Sequence, residues 1–508
     1  MRRVKASLIA LALLIGAPSS VAAVPESEPV PNDAEQMVES YYHDFFDRNF
    51  ADALSDIKDL NPDASNGQGQ ALVAAMRASA LLGLKRESDA AQLIAQIDRL
   101  SPKDPTARSA LFQGALITDH FEVAADTIDE LIARFPDAAR DLDWDLVRYL
   151  LAHEPKGEDQ RNEDRRVALA RIGYGGDSSI GHGRAANAVK ILAGRGDDKG
   201  ASELLEAVKE PQPIEDLLVE KRYIALWPKL EAVAGPHLSK VRAASLASAE
   251  KAYLAAPEDM AKLQEYIDAL RHSGRLDEAI ALKSKLPQTS DEMAKADEKI
   301  GWVVNSIAET LAEAGRPDEG DRLFASLNDP PRTDASWRVS MIINRLETLV
   351  TNGRFEKAAT LLEATEDSAR NDGSPFARQL VRRLRYCILS STGKKDEAAQ
   401  VLPDMLSHAD DALEPTIDGL VCAGNNAKAE ELALNGLKNA DKDKREQFEG
   451  QFVRALQLSP LTEDDPSVWD NSWKALRARP AIAAAYAKLG RDMPPELLPE
   501  KAKTASAK

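Results

Sequence analysis

The sequence predicts an all-α protein: a right-handed α-solenoid of about eleven helical hairpins closed by a C-terminal helical cap. Three observations carry that reading. First, a glycine recurs with a small residue five places after it and a leucine four places before it. The pairs are Gly196/Ala201, Gly274/Ala279, Gly315/Gly320, Gly353/Ala358, Gly393/Ala398 and Gly424/Ala429, with Leu192, Leu270, Leu311, Leu349, Leu389 and Leu420 upstream. Second, the glycines from Gly274 to Gly424 are spaced by 41, 38, 40 and 31 residues, and Gly196 precedes Gly274 by 78, about two steps. Third, the stretches between them read as helix, about two thirds of the chain, with essentially no strand.

A helical hairpin turn explains the spacing. Glycine reaches positive φ without a Cβ clash and so ends the first helix, and a charged run such as Arg275-Leu276-Asp277-Glu278 opens the second. The small residue lets the two helices approach, and the leucine lies one turn back on the face they bury. Weaker copies replace the glycine: Lys85 to Ala90 with Leu81 upstream, Asp119 to Ala124, and Arg48 to Ala53. Degenerate turns near Gly157 and Gly235 bring the count to about eleven hairpins between residues 35 and 438.

The second-helix openings GRLDEA from Gly274, GRPDEG from Gly315, GRFEKA from Gly353 and GKKDEA from Gly393 resemble the tetratricopeptide-repeat family. The family's first-helix Trp, Leu-Gly and Tyr are missing; Leu263, Tyr266, Ile267 and Leu270 occupy that helix, and the period drifts from the usual value of about 34. The resemblance implies a protein-interaction scaffold with a concave groove lined by first helices. It brings no catalytic residues.

In chain order, residues 1–23 read as a secretory signal peptide. Arg2, Arg3 and Lys5 precede an apolar run from Ala6 to Ala17 and the small residues Ser20-Val21-Ala22-Ala23. That run is shorter than the ~20 residues a membrane span needs. Residues 24–34 form a proline-bearing disordered lead, and N-terminal hairpins occupy 35–155. The polar stretch from Glu154 to Glu163 is an exposed turn and a candidate hinge. The main solenoid runs over 163–440. The helical cap of 441–495 carries Trp469, Trp473 and the apolar run from Pro480 to Leu489, and the tail of 496–508 reads as disordered.

Candidate chemistry is sparse. The loop Gly173 to Gly183 gathers glycines, Asp177, Ser178, Ser179 and His182, the composition of a hydrolase or phosphate site. Its spacing fits no dinucleotide, phosphate-loop or nucleophile-elbow pattern, so the competing reading is a linker in which Asp177 or Ser178 caps the next helix. The seven histidines, His43, His120, His153, His182, His237, His272 and His408, offer no pair at helical ligand spacing. Asp141, Asp143 and Asp145 alternate as in a calcium loop, but Leu146 and Ala152 stand where Gly and Glu are needed; they read as an acidic helix start. No cofactor is expected. The two cysteines, Cys387 and Cys422, fall on the first helices of successive hairpins. They are a candidate disulfide between neighbouring repeats, with two buried thiols as the other reading.

Charge narrows the partner. The chain carries 65 Lys plus Arg against 83 Asp plus Glu, a net −18; without Arg2, Arg3 and Lys5 the count is 62 against 83, or −21. Such a chain repels phosphate backbones and anionic lipid, so protein partners are expected and nucleic acid is not. No segment after the signal is uncharged and apolar long enough to span a bilayer. Aromatic residues, at 5%, are few for a sugar-stacking groove. The expectation is a periplasmic, non-catalytic scaffold that binds a peptide or partner protein in its concave face, serving cell-envelope, polysaccharide or outer-membrane assembly. The alternative is an envelope enzyme sited at the Gly173–Gly183 loop.

Overall fold

A computed structural model describes residues 33–62, 66–328, 336–457 and 468–498. The signal segment, residues 24–32 of the lead and the tail from 499 onward lie outside the described residues. Helix makes up 79% of the described residues. They contain no strand and one isolated antiparallel bridge, between Glu220 and Gly490. The chain is an all-α array of helical hairpins, in two compact units that divide between Gly176 and Asp177, not at the polar stretch 154–163.

The first unit contains α1 (Asp33–Phe46), α2 (Phe50–Asp56), α3 (Gly67–Gly83), α4 (Glu87–Leu100), α5 (Thr106–Ile117), α6 (Phe121–Arg134), α7 (Pro136–Arg140), α8 (Trp144–Ala152) and α9 (Asp159–Arg171). Hairpins α1/α2, α3/α4 and α5/α6 stack in chain order, with α3 packing on α5 and α5 on α8. Asp143 caps α8 by accepting from the Asp145 N–H at 2.8 Å, so the alternating aspartates do build a helix start.

The second unit begins with α10 (Ser179–Gly194), α11 (Asp198–Leu204), α12 (Pro211–Val219), α13 (Trp227–Ala234), α14 (Ser239–Ala255), α15 (Met260–His272) and α16 (Leu276–Ala281). It continues with α17 (Ser290–Ala294), α18 (Glu298–Glu313), α19 (Pro317–Asn328), α20 (Ser336–Thr351), α21 (Phe355–Asp372), α22 (Pro375–Ser391), α23 (Lys395–Ser407), α24 (Leu413–Cys422) and α25 (Asn426–Gly436). The last three helices are α26 (Lys442–Ala455), α27 (Val468–Arg477) and α28 (Pro480–Leu489).

Each hairpin turn follows one physical scheme. Gly196, Gly274, Gly315, Gly353, Gly393 and Gly424 have φ between +66° and +80°. The residue after each glycine donates its N–H to the carbonyl of the upstream leucine at 2.7–2.9 Å, the six-to-one bond of a Schellman turn. The same leucines are at most 4% exposed, and so are the alanines five places on. Gly320 replaces alanine because a Cβ there would lie 2.8 Å from the Ala308 carbonyl oxygen. Arg48, Lys85 and Asp119 take the glycine's place at φ of 62°, 58° and 61°, with the same closing bond at 2.8 Å.

Successive first helices of the second unit pack directly on one another: α15 on α18, α18 on α20, α20 on α22 and α22 on α24. They form its inner layer, and each second helix packs outside its own first helix. Cys387 on α22 and Cys422 on α24 are joined in a disulfide, with Cα atoms 5.4 Å apart.

The C-terminal helices do more than cover the last hairpin. They carry the end of the second unit back to its beginning. Helix α26 packs on α12, and α28 on the 3-10 segment Lys221–Leu226. Arg491 Nε donates to the Leu218 carbonyl at 2.7 Å, its guanidinium pairs with Glu231 at 2.9 Å, and it stacks over Trp227. The residues assigned to the start of the tail are held as well. Leu497 is buried, and His237 donates N–H to Glu496 O at 2.8 Å and Nδ1–H to Leu498 O at 2.7 Å.

Candidate functional site

From α15 to α24 one position recurs on the first helices that stack on one another: the residue six before the turn glycine. It is Asp268, Glu309, Glu347, Cys387 and Asp418 in successive repeats, an acid in four of five. These side chains link neighbouring repeats. Arg271 on α15 pairs with Glu309, and with Glu313 at 3.5 Å. Asn305 donates to Glu309 at 2.8 Å and accepts from Asn344 on α20 at 2.9 Å. Arg383, with a side chain 9% exposed, pairs with Glu347 and with Asp418 at 2.6 Å. One buried guanidinium thus serves two carboxylates, and burial holds both carboxyls above the ordinary range.

The Glu313 side chain is 52% exposed; partial burial raises its carboxyl, with Arg271 opposing and Glu309 and Asp268 adding to the rise.

Part of that layer is covered by the chain itself. Helix α27 lies over α20, α22 and α24: Trp469 Nε1 donates to Thr351 Oγ1 at 2.9 Å, its ring stacks beneath Arg383, and Trp473 Nε1 donates to Asp418 at 2.8 Å. A groove open along every first helix, as the sequence suggests, is therefore shortened. Away from α27, residues of α10, α12, α14 and α15 come together.

A cavity of about 220 Å³ opens there, lined by residues that include Ser178, Ser179, His182, Glu210, Glu265 and Asp268. The loop singled out in the sequence supplies three of them. Ser178 caps α10, its Oγ accepting from Gly181 N at 3.4 Å. His182 is 95% buried at its side chain, with Nε2 3.0 Å from Asp177 Oδ1. Asp177 also accepts from Lys209 Nζ at 2.7 Å, which with the His182 contact holds its carboxyl at about 2. His182 Nδ1 faces Glu210 across 3.9 Å. A serine hydrolase needs a serine hydroxyl on that imidazole; here Asp177 takes Nε2, and the Ser179 hydroxyl bonds to Glu210 instead.

Two more residues shape the electrostatics. His272 at the end of α15 is pushed down to about 4 by burial and by the neighbouring Arg271 and Arg242, so it is neutral at pH 7. Burial raises the Glu210 carboxyl, with the Ser179 hydrogen bond opposing and Glu265 and Asp268 adding to the rise. A second, larger cavity of about 400 Å³ lies between α21, α22 and α23, but its arginines are engaged: Arg382 with Asp404 at 2.6 Å and Arg385 with Glu366 at 2.8 Å. Among the described residues no cluster of His, Cys, Asp and Glu is arranged to hold a metal, and no helix is long and apolar enough to cross a membrane.

No family model and no curated protein matches this chain. Nineteen chains of solved structures do. One is the tetratricopeptide-repeat domain of P58(IPK), 13% identical over 83% of this chain and 98% of that chain, with a TM-score of 0.18. A score that low shows no shared fold; the helical array is shown by its own hairpin turns.

Proposed function

We propose that the chain is an exported, non-catalytic scaffold that holds a partner protein against the uncovered first helices of its second unit. The observation that carries this reading is the acid-rich layer on α15 and α18, where Glu309 and Glu313 pair with Arg271 and stay 39% and 52% exposed. Interaction surfaces of helical arrays are built this way, from a rigid layer that presents one residue per repeat. Periplasmic location, through the signal segment 1–23, and service in cell-envelope, polysaccharide or outer-membrane assembly belong to the same proposal.

Crosslinking of the tagged protein in its native cells, followed by mass spectrometry, tests it. A dominant protein partner is expected, with capture reduced at least about tenfold by the reversal Glu309→Lys combined with Glu313→Lys. Capture of nothing but the chain itself would sink the reading.

A further inference from the structure

The chain leaves the first unit and enters the second through a single residue. Gly173 closes α9 by the scheme of the hairpin turns: its φ is +73°, and the Tyr174 N–H donates to the carbonyl of Leu169 at 3.0 Å. Tyr174 is 2% exposed in the core of the first unit, and its hydroxyl donates to the Leu142 carbonyl at 3.0 Å. The Gly176 N–H turns back to the Gly173 carbonyl at 3.0 Å. Asp177 is held by the second unit at both ends: its carboxylate accepts from Lys209 at 2.7 Å, and its carbonyl from the Ser248 hydroxyl at 3.2 Å. Between these anchors lie the φ and ψ of Gly176 and the φ of Asp177.

A glycine at this position calls for a reason. Its φ of 58° does not supply one, because Arg48, Lys85 and Asp119 hold 62°, 58° and 61° in the first unit. Close packing does not either, since a Cβ at Gly176 would meet nothing within 4 Å. What glycine adds is access to the other backbone basins without a Cβ penalty, which is freedom to rotate. The hairpin order lapses at the same place. After each of the six turn glycines the next helix starts two residues on, as at Leu276 after Gly274, whereas α10 starts six residues after Gly173. The polar stretch 154–163, the candidate hinge of the sequence, is instead tied into the first unit. There Glu154 pairs with Arg165 at 3.3 Å, and the Pro155 carbonyl accepts from Asn162 at 3.1 Å.

We propose that Gly176 is a hinge on which the two units turn as separate bodies, the swing being taken up by its own two torsions and the φ of Asp177. The inference does not rest on the scaffold reading. It adds a moving part to it: one body of hairpins swings while the other keeps its hold.

Distances between two nitroxide spin labels on the full chain test it. The chain's own cysteines are joined in the disulfide, so labels go to introduced ones. Arg99→Cys with Lys251→Cys spans the two units, and Lys251→Cys with Glu356→Cys lies within the second; all three sites are exposed. The pair across the units should give a distance distribution at least about twice as wide as the pair within one. Gly176→Ala makes the left-handed region about 5–30-fold less populated than glycine does, and should move the maximum of the wider distribution. Gly157→Ala, at φ 83° in the polar stretch, should leave it in place. The pair within the second unit, measured again in each variant, establishes that this unit still folds. A distribution across the units as narrow as that within one overturns the proposal without any glycine variant, because the units would then form one body. A wide distribution that Gly176→Ala leaves unmoved overturns it too, and so does one that Gly157→Ala moves as far.

Discussion

The two units are made of the same hairpins and differ in how their ends are treated. In the first, helices pack on near neighbours in chain order, and the bond of Arg48 to Asp119 spans 71 residues. In the second, Arg222 reaches Glu446 across 224 residues, Lys221 reaches Ala487 across 266 and Arg491 reaches Leu218 across 273. Closing a loop that long costs only about 2 kcal/mol more than closing one repeat, since each doubling adds ~0.6 kcal/mol. A few well-made contacts suffice to close it. An open stack frays from its ends, whereas a closed one must break two interfaces before any repeat is released.

The largest expected effect lies in the second unit's inner layer. Arg383→Met leaves Glu347 and Asp418 buried without their cation, and should destabilise that unit by about 3–5 kcal/mol. Urea unfolding followed by hydrogen exchange should show the loss in residues 177–498 and leave the first unit's protection unchanged. An equal loss in both units would break the distinction between them.

Arg491→Ala comes next. It removes the bond to Leu218, the pair with Glu231 and the stacking on Trp227, together worth about 2–3 kcal/mol. Faster exchange is expected in α12 and α13 as well as α28, although some 250 residues separate them. If only the C-terminal residues exchange faster, the ends touch without acting as one body.

The smallest effect belongs to the first unit and has the opposite sign. Lys85 holds the turn at φ 58° with an exposed side chain, where glycine would sit without the Cβ clash. Lys85→Gly should stabilise the first unit by about 0.5–1 kcal/mol, read as a raised thermal midpoint. A lowered midpoint would mean that Lys85 makes a contact worth more than its strain.

What the sequence disclosed was whatever a local backbone rule governs. The glycine must sit at positive φ, the leucine must lend its carbonyl and the alanine must be small, so Gly274, Leu270 and Ala279 are legible at fixed offsets. Closure obeys no such rule. It follows from small rotations accumulated over many repeats, and from Trp469 and Trp473 finding Thr351 and Asp418, 118 and 55 residues away. The cavity was half legible. Ser178 and His182 stood out as a loop, but Glu210, Glu265 and Asp268 come from helices whose approach depends on tertiary packing. One signal would have found Asp268: an acid six residues before the turn glycine, repeated at Glu309, Glu347 and Asp418.

The sulfur bridge between α22 and α24 has a mechanical consequence. It skips a whole second helix, because α23 lies inside the 35-residue interval between Cys387 and Cys422. Tension applied along the chain crosses from one first helix to the next through the sulfurs and never loads α23. About 120 Å of contour, at ~3.4 Å per residue, stays out of reach of a pulling force until a reductant releases it.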